Sequence, residues 1–165
     1  TPQPFELIQS YENIFEGRNE TLILEPGRSI SANAGIMLAK VEYKKDNFII
    51  TNAAMNDLLR PALYDAHHDI WPVVKNDNPA SNVNVVGPIC ETGDFLAKDI
   101  NIAASENDLL AVRTVGAYGS VMSSNYNSRP RAAEVLVDKK NFYLIRKRED
   151  NSSLTSLEEG LDDQI

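Results

Sequence analysis

Cysteine is nearly absent from these 165 residues. Cys90 stands alone, so no internal disulfide can form, and a reducing, cytoplasmic compartment is the expectation. Histidine is almost as scarce: His67 and His68 are its only copies. They are adjacent, a spacing that seldom lets two imidazoles share one ion, so no metal site is expected. No apolar run approaches the ~20 residues that cross a bilayer, and no membrane partner is expected. Positive charge is in deficit, with 16 Lys and Arg against 24 Asp and Glu and a formal net charge of -8. That balance repels a phosphate backbone and argues against nucleic acid as a partner. Residues 1–5 lack the basic-then-apolar order of a signal peptide. Without a secretion signal, Asn19-Glu20-Thr21 and Asn151-Ser152-Ser153 are read as chance matches to the glycosylation pattern. The missing initiator Met suggests a fragment or a processed chain.

What is present is an ordinary globular composition, 42% hydrophobic and 24% charged, long enough for one domain with its own core. Phe5, Ile8, Tyr11 and Phe15 recur near helical spacing between Pro4 and Gly17, which predicts a short amphipathic helix. Residues 21–24 form an apolar run ending at Pro26-Gly27, read as a strand. Runs 36–43 and 48–51 flank a polar tetrapeptide and predict a hairpin; 133–138 and 141–146 predict another around Lys139-Lys140. Further strands are expected at 84–90 and 108–115, and a polar loop over 122–130. Six or so strands with tight turns and little helix predict a mainly β fold, an antiparallel barrel or sandwich. The Ser-, Asp- and Glu-rich stretch 151–165 is expected to be a frayed helix or a disordered tail.

Four segments carry residues suited to chemistry. In Glu25-Pro26-Gly27-Arg28 the proline restricts the backbone of Glu25, Gly27 permits a close approach, and Arg28 presents a fork for phosphate or carboxylate; from these four residues alone the plainer reading is a strand-to-loop turn with two solvated charges. Arg60-Pro61 repeats the device, with Tyr64 one helical turn on; together they could grip a carboxylate, or be a surface Arg and a half-buried Tyr. Cys90-Glu91-Thr92-Gly93-Asp94 follows a strand, and Cys90 is either a small core residue or a reactive thiol. Gly116-Ala117-Tyr118-Gly119 clears space around an aromatic ring, for a flat ligand or for packing on the core.

In order and wording, these segments resemble the diaminopimelate decarboxylase branch of the pyridoxal-phosphate-dependent ornithine/diaminopimelate/arginine decarboxylases. The resemblance rests on Glu25-Pro26-Gly27-Arg28-Ser29, the run Asn56-Asp57-Leu58-Leu59-Arg60-Pro61-Ala62-Leu63-Tyr64-Asp65-Ala66, Val86-Gly87-Pro88-Ile89-Cys90-Glu91-Thr92-Gly93-Asp94, Gly116-Ala117-Tyr118-Gly119 and Met122-Ser123-Ser124-Asn125-Tyr126-Asn127. It implies the C-terminal β-barrel domain of an alanine-racemase-like decarboxylase. Residues 1–20 would be the last helix of an N-terminal α/β barrel, 21–150 the β-domain and 151–165 a tail.

The resemblance also implies roles. Pyridoxal 5'-phosphate would be held by Glu25, Pro26, Gly27, Arg28 and Tyr118, with Glu25 facing the pyridine nitrogen. The substrate, meso-diaminopimelate, would meet Arg28, Arg60, Tyr64, Glu91 and Tyr118. Arg60 and Tyr64 would take the distal carboxylate and Glu91 the distal ammonium, while Cys90 would supply the proton that replaces carbon dioxide. Cys90 and Glu91 would serve the neighbouring subunit of a homodimer with shared active sites. The family's cofactor lysine belongs to the N-terminal barrel, and none of the lysines here sits in its motif, so this chain alone is expected to be inactive. Two alternatives remain: a related decarboxylase of a basic amino acid or polyamine precursor, and a free-standing β-domain that catalyses nothing.

Overall fold

The computed structural model describes residues 4–75 and 77–160. Its core is built from strands that bury every second side chain, the period of a pleated strand. β1 (Met37–Lys45) turns Ala39 and Val41 inward, and β2 (Phe48–Thr51) turns in Ile49 and Thr51. A two-residue turn joins them, with Asp46 at φ 51. Asp and Asn tolerate that left-handed geometry better than other non-glycine residues, so Asp46-Asn47 fixes the hairpin. A short helix (Arg60–Tyr64) follows, then β3 (Ile70–Pro72), β4 (Ser81–Val86), β5 (Phe95–Ile102) and β6 (Leu109–Val112).

These six strands form one sheet in the order β3-β6-β1-β2-β4-β5. Its end strands β3 and β5 come into contact, so the sheet curls into a nearly closed barrel. Val83, Val85, Leu96, Ile102, Leu110 and Val112 fill the interior, with Leu58 entering from the loop after β2. Each fully buried leucine, Leu58 and Leu110 among them, contributes roughly 1.5–3 kcal/mol through its removal from water. β7 (Glu134–Asp138) and β8 (Asn141–Arg146) make a separate two-stranded hairpin.

Both predicted hairpins form, and so does the predicted N-terminal helix, α1 (Pro4–Phe15). The expected mainly β barrel is present, but it is mixed: β2 and β4 run parallel, because the long connection through residues 52–80 carries the chain back across the barrel before β4 starts. Residues 21–24 are not a strand. The stretch has no regular structure, and Ile23 is 78% exposed. A short apolar run has strand propensity, but a strand needs a neighbour's backbone groups, and none of the described strands pairs with it.

The strand expected at 84–90 starts earlier and stops at Val86, after which one further bond, from the Gly87 N–H to the Asp94 carbonyl at 3.2 Å, continues its pairing towards β5. The one expected at 108–115 is shorter because Thr114, at φ 58, breaks the extended run. β3 and β5 escaped the sequence reading.

Arg28–Ser31 forms α2, a single turn continued by a 3-10 turn at Ala32–Ala34; the Arg60–Tyr64 helix is α3. Part of the tail is ordered as α4 (Asn151–Thr155). Asp150 caps it by accepting the Ser153 N–H, while the Ser153 hydroxyl accepts from the Asp150 N–H. Hydrogen bonds from the Ser152 hydroxyl and from Ser153 lower the Asp150 pKa to about 2. Residues 161–165 of that tail lie outside the described residues.

Candidate functional site

α3 places Arg60 at its first position and Tyr64 at its last. The Arg60 guanidinium carbon lies 5.1 Å from the centroid of the Tyr118 ring and 5.8 Å from that of Tyr64. Stacking a guanidinium on two aromatic faces restrains its fork while leaving its N–H donors available. Tyr118 sits at φ 60, left-handed backbone that bulky residues seldom adopt, on a turn bracketed by Gly116 and Gly119. Its ring is 43% exposed. Of the two sequence readings of Tyr118, the structure therefore favours a ring presented outward over one packed in the core.

That turn is seated on α2. The Gly116 N–H donates to the Ala32 carbonyl at 3.0 Å, and the Val115 N–H to the Gly35 carbonyl at 3.1 Å. The contact is too close for any side chain: a Cβ on Gly116 would stand 2.1 Å from the Ser31 carbonyl oxygen. Arg28 opens α2, so the Glu25-Pro26-Gly27-Arg28 turn is tied through backbone to the turn that carries Tyr118. All four of its residues are exposed.

The segment with Cys90 and Glu91 folds around a buried carboxylate. Asp94, 3% exposed, accepts the Met55 N–H at 2.6 Å and the Ile89 N–H at 2.8 Å. Its own N–H donates to the Glu91 carbonyl at 3.1 Å. Gly87 must be glycine for this clamp to close, since a Cβ there would meet Asp94 Oδ2 at 2.5 Å and Ala54 Cα at 2.6 Å. Asp94 thus fixes the Cys90-Glu91 turn against residues 54–55, five positions before Arg60. Cys90 is exposed, not a core residue. Glu91 is exposed and accepts a hydrogen bond from the Tyr126 hydroxyl.

Loop 122–130, predicted as a loop, is anchored to the same place. Asn56 and Ser124 exchange backbone and side-chain hydrogen bonds at 2.9 and 3.2 Å. Arg129 donates to Asn56 Oδ1 at 2.9 Å and to the Asn52 carbonyl at 2.6 Å, and pairs with Asp57 at 3.6 Å. Burial raises the Asp57 pKa, against the opposing pull of the Ala54 N–H and Arg129. Hydrogen bonds thus tie the turn of Tyr118 to residues 32–35, and both the Cys90-Glu91 turn and loop 122–130 to residues 52–57. Asp94, Asn56 and Arg129, which make the latter ties, drew no role from sequence reasoning; nothing in a linear sequence marks an Asp as buried.

His67 and His68 take no part in these ties. His67 pairs with Asp69 at 3.1 Å, and His68 Nδ1 donates to the Arg113 carbonyl at 2.9 Å. Both help line a cavity of about 320 Å³ beside α3. Among the described residues no three His, Cys, Asp or Glu side chains are grouped to hold a metal, and no helix is long and apolar enough to cross a membrane.

Curled sheet and clustered site together define a class. Residues 11–116 match the family described as pyridoxal-dependent decarboxylase, C-terminal sheet domain, and the chain belongs to that family. More narrowly, it is 52% identical over 165 residues to diaminopimelate decarboxylase of Vibrio cholerae, covering 97% of this chain and 40% of that protein. A crystal structure from Aquifex aeolicus superposes with TM-score 0.87 at 48% identity, over 95% of this chain and 41% of the other. Diaminopimelate decarboxylase from Helicobacter pylori, crystallised with L-lysine, superposes with TM-score 0.82 at 44% identity, over 91% and 38%. The chain spans about two fifths of the length of these relatives.

Proposed function

We propose that this chain is the C-terminal domain of a diaminopimelate decarboxylase, a cytoplasmic enzyme that converts meso-diaminopimelate to L-lysine and carbon dioxide. The observation that carries the reading is the Arg60 guanidinium lying over the rings of both Tyr64 and Tyr118, the latter from a segment distant in sequence.

The same surface fits pyridoxal 5'-phosphate. Tyr118 offers an outward aromatic face, and at Gly27 an added Cβ would touch nothing within 4 Å, which leaves the 25–28 turn open to a flat anionic group. When bound, the cofactor supplies an electron sink for the bond that loses carbon dioxide. This chain's residues would contribute to holding the cofactor and the substrate. Glu25 would keep the proton on the pyridine nitrogen, and Pro26, Gly27 and Arg28 would hold the phosphate. Arg60 and Tyr64, with Arg28, hold the carboxylate that survives, and Glu91 pairs with the distal ammonium. A substrate lacking either group would leave these charges unmatched, which is how a symmetric-looking molecule is gripped by one end. Cys90 carries the proton delivered to the carbon that loses carbon dioxide.

In this reading the cofactor lysine comes from an N-terminal α/β barrel of the same protein, which ends within residues 1–20, the segment that carries α1. Residues 21–150 are the sheet domain, and Cys90 and Glu91 reach the neighbouring site of a homodimer. The test joins this chain to that barrel portion. The joined protein forms lysine from meso-diaminopimelate, and neither part does so alone. A free-standing binding domain would leave the joined protein inert.

A further inference from the structure

Glu91 is the only acidic residue of the site that a tyrosine holds. The Tyr126 hydroxyl donates to Glu91 Oε1, and that donor is itself built in. Tyr126 stands on the loop fixed by Asn56 and Arg129, and its N–H donates to the Ser124 hydroxyl at 3.3 Å. Beyond it, Asn127 and Ser128 take left-handed backbone, at φ 60 and 54, which bends the loop. Glu149 ties off the far end, accepting from the Asn125 amide at 2.6 Å and the Arg131 N–H at 2.9 Å. A loop held at both ends carries a side chain that touches one group of the site.

We infer that Tyr126 is a positioning residue for specificity: its hydroxyl occupies Glu91 Oε1 and aims Oε2 at the substrate's distal ammonium. This deepens the reading above and rests on it, since it takes Glu91 as the ammonium partner. Physically, a carboxylate on a freely rotating side chain in water discriminates weakly between ligands with and without an ammonium. Fixing one oxygen orients the other and removes rotational freedom before the ligand arrives. Tyr126 is suited to the task because its hydroxyl keeps its proton. The hydrogen bond to Glu91 and the carboxylate's charge both push its pKa above the ordinary tyrosine value, so it remains a donor wherever Glu91 is charged.

The experiment uses the full-length enzyme and two inhibitors: L-lysine, which keeps the α-ammonium that Glu91 would grip, and 6-aminohexanoate, the same chain without that ammonium. Tyr126→Phe is expected to weaken inhibition by L-lysine about tenfold, the scale of one hydrogen bond to a charged group. Inhibition by 6-aminohexanoate stays within about twofold, because the group it lacks is the one affected. Tyr126 is 48% exposed, so loss of its hydroxyl leaves no core cavity, and the variant unfolds at the parent's temperature.

Glu91→Ala separates the two layers of the argument. If it weakens L-lysine selectively and Tyr126→Phe does not, Tyr126 is not the positioning residue and the inference is overturned. Equal weakening of both inhibitors by Tyr126→Phe overturns it as well, leaving a merely structural loop contact. If Glu91→Ala itself fails to distinguish the inhibitors, the assignment of Glu91 falls first, and the inference falls with it.

Discussion

Replacing Cys90 by alanine in the completed enzyme lowers the rate of lysine formation by ~10²-fold or more, the scale on which a positioned general acid acts. Inhibition by L-lysine stays close to that of the parent. The expectation follows from where the thiol sits. Cys90 is exposed at a turn, so its loss opens no cavity, and the turn is held by Asp94 and not by Cys90 itself. Removing the sulfur takes away a proton donor and little else. Ligand binding, which the proposed reading assigns to Arg60, Tyr64 and Glu91, is expected to stand. A turnover number unchanged in Cys90→Ala would remove the thiol from the reaction. A collapse of L-lysine binding would mean that Cys90 supports the site's shape instead.

Asp94→Ala is the second large effect, and it acts through the fold. Two backbone N–H groups, the buried one of Ile89 and the part-buried one of Met55, lose their acceptor at once. Each unsatisfied donor costs ~1–3 kcal/mol, so the domain is expected to lose roughly 2–5 kcal/mol of stability, read as a lower midpoint in urea unfolding. Activity falls in parallel. One carboxylate joins the turn that carries Cys90 and Glu91 to the segment leading into Arg60, and its removal frees both. Asp94→Asn keeps one acceptor oxygen and is expected to fall between parent and alanine variant. A loss below ~1 kcal/mol in Asp94→Ala would show that the Gly87 contact and the strand ends hold this turn without the clamp.

Much of the sheet was legible because its signals are local. The Asp46-Asn47 turn fixes β1 against β2, and the alternation on either side says which face is buried. The β7–β8 hairpin announces itself in the same way, through Lys139 at φ 56 between two apolar runs. β3 and β5 lacked such signals. β3 is three residues long and contains Pro72, and β5 carries Lys98 and Asp99 in its middle, with Asp99 at φ 52. Their membership is decided by pairing with β6 and β4, distant in sequence. The apolar run at 21–24 erred in the other direction, since propensity without a paired neighbour makes no strand.

The site was legible to a different depth. Its outward-facing residues were singled out by proline-restricted arginines, a glycine-bracketed tyrosine and a lone thiol, and the family resemblance gave them roles. The groups that hold them were not legible. Asp94 and Asp57 look like any surface acids in the sequence, and Arg129 like any surface base. Only folding shows that Asp94 is buried against two N–H groups and that Arg129 bridges Asn52, Asn56 and Asp57. Tyr126 lay inside a recognised run, yet its bond to Glu91 depends on a loop meeting a turn 35 positions away.

Substrate competition decides whether the Arg60 cluster reads a distal carboxylate. The completed enzyme is offered meso-diaminopimelate, ornithine and lysine together, and carbon dioxide release is assigned to each. With Arg60 and Tyr64 on a distal carboxylate and Glu91 on a distal ammonium, only meso-diaminopimelate satisfies all three, so its kcat/KM is expected to exceed the others by ~10⁴-fold or more, the scale on which a site built to pair a polar group rejects a substrate lacking it. Faster release from ornithine or lysine would contradict the account, because neither has the carboxylate that the Arg60 cluster is built to hold.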